Sequence, residues 1–139
     1  MTLIDYLTEL ESAHKLRVAA VKAEEVLTKP IVTDLSQMCR VFEVFLMALP
    51  KVSDKPVQDP ENRRLFVFIC IRLFCPIAFY GKTKITYGVC EEMARVLGVH
   101  RTLITHSRRH LVFYYKRYKS FREKVDAVFE DVMKMLDEK

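Results

Sequence analysis

Arginine, threonine and histidine side chains recur at Arg101, Thr102, Thr105, His106, Arg108 and Arg109, and here the chain concentrates groups suited to reading nucleic acid. Arginine presents a planar fork that matches the major-groove acceptors of guanine, and threonine hydrogen-bonds a base edge or packs on a thymine methyl. On a helix, Arg101, Thr105, Arg108 and Arg109 lie three or four apart and share a face. The residues around them supply a scaffold. Ala94 stands four before Gly98, and Gly98 stands six before Ile104. A small residue lets two helices cross closely, a glycine ends the first helix in a left-handed turn, and a branched residue plugs the shared core. Met93, Leu97 and Val99 add the neighbouring apolar positions. This spacing predicts a helix-turn-helix, with a first helix over about 87–97 and a recognition helix over about 101–118.

The charge pattern agrees. The 139 residues carry a net charge of +5. From Met93 to Arg122 there is no acidic residue, while Arg95, Arg101, Arg108, Arg109, Lys116, Arg117, Lys119 and Arg122 all fall in that interval. Such a local basic stripe is the electrostatic footprint of a polyanion partner. Lys82 and Lys84 precede the first motif helix at a place where phosphates would be held. The segment FYYKRYKSF, residues 113–121, mixes aromatic and basic residues. That suits stacking on single-stranded bases or, at helical spacing, packing with a basic rim.

Other chemistry is thinly represented. The four cysteines form no CxxC pair, which reads as free thiols in a reduced cytoplasm. His106 and His110 make a HxxxH pair without a third ligand, so no metal is expected, and no cofactor either. Gly81-Lys82-Thr83 echoes the end of a phosphate-binding loop, but Pro76 occupies the place of its first glycine. No nucleophile, base and acid come together in the sequence, so an enzyme is not expected. The apolar run 65–80 is short for a membrane span and contains Arg72 and Pro76, so a buried helix is expected. No basic region followed by an apolar run opens the chain, and the expected location is cytoplasmic.

The elements that must position the motif read as helices throughout. With 50% hydrophobic residues and only 3 glycines, the chain predicts an all-α fold able to bury a core. A long helix over 3–28 carries Tyr6, Leu10, Ala13, Ala20 and Leu27 roughly on one side, is too irregular for a strict heptad, and ends at Pro30. A second starts near Thr33, with Thr33 or Asp34 as cap, and shows a wide apolar face through Leu35, Met38, Phe42, Phe45 and Leu49. Residues 51–60 read as a linker and a hinge. Asp59-Pro60-Glu61 starts a third helix, which Pro76 stops. Thr86 is the expected cap of the first motif helix. Ile104, Leu111, Tyr114 and Tyr118 are expected to face inward. Ser120 and Glu123 form an S-x-x-E capping box before a last helix with Phe121, Val125, Val128 and Val132 on one face. The expected organisation is an N-terminal helical arm at 1–50 that dimerises or docks a partner, a linker at 51–60, and a DNA-binding domain at 61–139.

The stretch LGVHRTLITHSRRHL, residues 97–111, resembles the C-terminal helix-turn-helix domain of the bacterial replication initiator DnaA, and, less specifically, small phage-associated proteins built around that domain. Gly98, Thr102, Ile104, His106, Arg109 and Leu111 fall on positions of that signature. Val99 and His100 stand in place of its basic-Asp pair, Arg101 in place of its first histidine, and Leu103 in place of a threonine. The resemblance covers about residues 62–118. It implies a helix-turn-helix core of Trp-repressor type, with duplex DNA as partner. Thr102 and His106 then become base contacts, and Arg101 occupies a contact position of changed identity. The other class open at this point is a helical interaction or assembly protein in which the motif only packs.

Overall fold

A computed structural model describes residues 1–80, 85 and 88–138. Those residues are helical, with no strand: α1 (Leu3–Leu27), α2 (Met38–Ala48), α3 (Pro60–Phe74), α4 (Val89–Leu97), α5 (Arg101–Arg108), α6 (Leu111–Arg117) and α7 (Lys119–Asp137), with short 3-10 turns at Leu35–Gln37, Leu49–Lys51 and Pro76–Phe79. The expectation of an all-α chain holds. No helix among the described residues is long and apolar enough to cross a membrane.

The core is built around α3. Its start follows the sequence signal: the Asp59 carboxylate accepts the Glu61 N–H at 3.2 Å, and Pro60 occupies the first turn, where an N–H would lack a partner anyway. Leu65, Phe66, Val67, Ile69, Cys70, Ile71 and Leu73 are all completely buried, so α3 is apolar on nearly every side and sits in the middle. Phe66 packs on Phe42 and Phe45 of α2 at ring separations of 5.3 and 5.1 Å. Phe68 meets Phe79, Tyr115 and Phe121. Its two flanking cations are used rather than free: Arg64 lies 4.8 Å over Tyr114 and Arg72 5.8 Å over Phe129. On α7, Phe121, Val125, Val128 and Val132 face the core, as their spacing predicts.

The 1–50 segment divides. α2 buries Met38, Val41, Val44, Phe45 and Ala48 in the same hydrophobic core as α3, α4 and α7. α1 begins with a capping box between Thr2 and Asp5 and buries no residue at all. The expected hinge at 51–60 is instead pinned. The Asn62 amide, itself 1% exposed, donates to Ser53 Oγ, Lys55 O and Pro56 O at 2.9–3.1 Å. Lys51 and Lys124 add ion pairs to Asp131 and Glu61 across the same corner.

Two other expectations fail at the second motif helix. It does not run from 101 to 118. α5 ends at Arg108, His110 adopts a left-handed backbone with φ of 61°, and α6 restarts at Leu111. Histidine is among the few side chains that tolerate that conformation, so no glycine or proline advertises the break. The break lets α5 pack on α3 and α4 while α6 turns onto α7. Ile104 and Leu111 are buried and Tyr114 partly so, but Tyr118 is 49% exposed. The Ser120–Glu123 capping box does not form either. α7 starts two residues earlier, with Tyr118 rather than Ser120 at the cap position, and has no side-chain cap. Tyr118 N–H still bonds Tyr114 O at 2.9 Å, so the backbone passes from α6 to α7 with hardly a gap for a cap to fill.

Candidate nucleic-acid interface

The turn between α4 and α5 has the backbone that the glycine promised. Gly98 is left-handed, φ 69° and ψ 34°, and the Val99 N–H reaches back to Ala94 O at 3.0 Å, the signature of a Schellman ending. Ala94, Leu97 and Met93 of α4 and Ile104 of α5 are buried at the crossing. The reason for Gly98 is conformational alone. A Cβ there would meet no heavy atom within 4 Å, so the left-handed backbone, not contact with the crossing helix, calls for glycine. A second left-handed glycine, Gly88, opens α4, and there a Cβ would fall 2.7 Å from Leu35 Cδ1. Glu91 and Glu92 follow in the first turn, at the positive end of the helix dipole. The expected cap, Thr86, lies outside the described residues.

His100 performs a task the sequence did not suggest. Its Nδ1 accepts the Thr102 N–H at 3.1 Å and lies 2.7 Å from Thr102 Oγ1, capping α5. Ile104 and Ser107 then point inward, and Arg101, Thr102, Thr105 and His106 lie exposed on the outer side, with Arg109 exposed just past the end. These five are brought together on one surface. Arg101 is drawn toward Glu91 at 3.6 Å, and Thr105 Oγ1 donates back to Arg101 O at 3.3 Å. His106 and Arg109 make no side-chain hydrogen bond or ion pair among the described residues.

Arg108 does not join that surface as its neighbours do. It is half-buried, and its guanidinium donates to Ala78 O at 3.2 Å, tying the end of α5 to the 3-10 turn after α3. A cleft of about 320 Å³ opens beside it, bordered by Thr105, Arg109, His110 and Phe113. Lys82 and Lys84 lie outside the described residues.

The rest of the basic stripe splits in the same manner. Arg95 is turned away from α5 to pair with Glu92 at 2.7 Å and Cys39 Sγ at 3.3 Å, and the Glu92 bond holds its guanidinium more firmly protonated than usual. Lys116, Arg117 and Lys119 are exposed beyond α5. In the aromatic cluster, Tyr115 packs on Phe68 and donates to Asp126 at 2.7 Å, an acceptor that pushes its phenol pKa up. Phe113 and Tyr118 stay exposed at 56% and 49%. Burial raises the Cys70 thiol pKa well above its ordinary value, with the nearby Cys75 adding to it, and Cys90 is raised by partial burial and then by Glu91. None of the four cysteines is in a disulfide, and no group of three metal-ligating side chains occurs among the described residues.

The arrangement can donate hydrogen bonds outward from a short helix held on a rigid crossing. Compared with family models, curated proteins and solved structures, the chain matches none of them.

Proposed function

We propose that the chain binds duplex DNA by docking α5 in a major groove, as a cytoplasmic protein of replication, regulation or phage DNA handling. One observation carries the reading. The exposed side of α5 holds Arg101, Thr102, Thr105 and His106, with Arg109 at its end, while its other side is locked to α4 through Gly98, Ala94 and Ile104. A two-turn helix fits a groove roughly 12 Å wide, and the first turns of a recognition helix are the part that reaches base edges. Lys116, Arg117 and Lys119 are exposed on the helices that follow and would supply phosphate contacts.

An electrophoretic shift against random duplex across a salt series tests it. With Arg95 and Arg108 committed to internal contacts, six cations of the stripe remain to neutralise phosphates, and the log–log salt slope should be about −5. A slope near zero, or no duplex binding at low salt, overturns the proposal. In that case the surface of α5 is a protein contact and the motif is scaffold only. Arg101→Ala should cost about 1–3 kcal/mol on a preferred site and relax the preference there.

A further inference from the structure

α1 is 25 residues of helix without a buried side chain, yet it exposes Leu3, Ile4, Tyr6, Leu7, Leu10, Leu16, Val18 and Val21. No single straight face collects them. Leu3, Leu7, Leu10, Ala13, Leu16, Ala20, Ala23 and Leu27 instead form an unbroken apolar seam, recurring roughly every 3.4 residues. A repeat shorter than the 3.6 of a straight helix winds left-handedly, which is the geometry of two helices wrapped on one another.

The seam is uneven in a useful way. Leu3, Leu7 and Leu10 make its first half, while Ala13, Ala20 and Ala23 alternate with Leu16 and Leu27 in the rest. Beside that second half lies an apolar groove of about 650 Å³, formed by Ala20, Ala23 and Leu27 of α1 with Pro76, Ile77 and Phe79 of the 3-10 turn. Charge divides at the same point. Asp5, Glu9 and Glu11 make the first half acidic, and Lys15, Arg17 and Lys22 make residues 14–22 basic, before Glu24 and Glu25. Glu9 and Glu11 flank the leucine half on opposite sides, and Lys15 and Arg17 flank the alanine half in the same manner. Within one copy only Glu11 and Lys15 meet, at 3.1 Å and highly exposed.

We infer that the chain pairs with a second copy of itself through α1, the two helices antiparallel and centred near Ala13. The Leu3–Leu10 half of each copy then lies in the alanine-lined groove of the other. This orientation sets Leu3 and Leu7 toward Ala23 and Ala20, Leu10 on Leu16, and Glu9 and Glu11 on Arg17 and Lys15. A parallel pair would set leucine on leucine and acid on acid. The contact is self-complementary and closes on two copies. It does not depend on whether α5 reads DNA.

Sedimentation of the full chain at tens of micromolar should give twice the 16.4 kDa monomer mass. Glu9→Lys with Glu11→Lys should weaken the association about a hundredfold through like charges, and Lys15→Glu with Arg17→Glu should do the same. Mixing the two variants in equal amounts should restore the dimer. Under mild oxidation Ala13→Cys should cross-link to itself and Leu3→Cys should not. Because every altered residue is exposed, the thermal transition of the remaining helices serves as the folding control. A monomer at these concentrations overturns the inference and leaves α1 to a different protein. So does a dimer that both charge variants leave intact, or one that cross-links at Leu3→Cys rather than Ala13→Cys.

Discussion

α1 and α2 sit side by side in the sequence and meet opposite fates. α2 has 11 residues and buries five of them, whereas α1 has 25 and buries none. α2 is the more apolar of the two, with nine apolar residues in 11 against 14 in 25. Its buried residues Val41, Val44, Phe45 and Ala48 share one side and meet α3, α4 and α7 together. In α1 the sparser apolar residues form a seam that winds around the axis and buries none of them. Apolar content and its placement around the helix together decide which of the two helices the body absorbs.

The largest effect that would break this contrast is at Phe45. It is completely buried against Phe66, and Phe45→Ala should cost about 3–5 kcal/mol in urea unfolding. A loss near zero would place α2 outside the core, with α1. Smaller is Gly98→Val, where a left-handed backbone must carry a side chain, at about 1–2 kcal/mol. Because a Cβ there has open space, the whole loss should come from the backbone, and Gly98→Ala should cost nearly as much. A much larger loss for valine would mean the crossing is tighter than the turn suggests. Gly98→Val should lower thermal stability and DNA binding together.

Arg109→Ala sharpens the distinction between scaffold and surface. Its side chain is exposed, so stability should change by less than about 0.5 kcal/mol, while the salt slope of DNA binding drops by roughly 1. Parallel loss of stability would make Arg109 a structural residue like Arg108. The smallest effect belongs to α1. At concentrations too low for association, Leu10→Ala should shift the urea midpoint by less than about 0.5 kcal/mol equivalent, since Leu10 is 51% exposed. A loss comparable to that of Phe45→Ala would show that α1 packs on its own body.

Much of the fold was legible because local signals and packing agree. Asp59-Pro60 begins α3, the wide apolar face of α2 is buried, and Gly98 turns where spacing placed it. The break at His110 was not legible. A continuous helix from 101 to 118 satisfies the same periodicity, and only the separate docking of α5 on α3 and α6 on α7 decides against it. Of the candidate site, the sharing of one side of a helix by Arg101, Thr105 and Arg109 was legible from their spacing. That Arg108 would be spent on the Ala78 carbonyl, and His100 on a helix cap, depends on groups distant in sequence or on an unusual capping residue. The S-x-x-E box misled because a capping signal has meaning only where a helix starts freely, and α7 follows α6 after a single residue.

The connection between α1 and the body has a mechanical consequence. Just past α1, the Ile31 and Val32 N–H groups both donate to the single Leu73 carbonyl at 2.9 Å, and α3 ends one residue later. The long helix is therefore a lever anchored to the body by this pair of hydrogen bonds and the packing of Val32 on the core. At about 1.5 Å per residue it extends roughly 37 Å, so a tilt of about 10° at that point sweeps its tip through about 6 Å. Small changes at the end of α3 are magnified at Leu3, and deuterium exchange at the Ile31 and Val32 amides would register the pivot loosening before any core amide does.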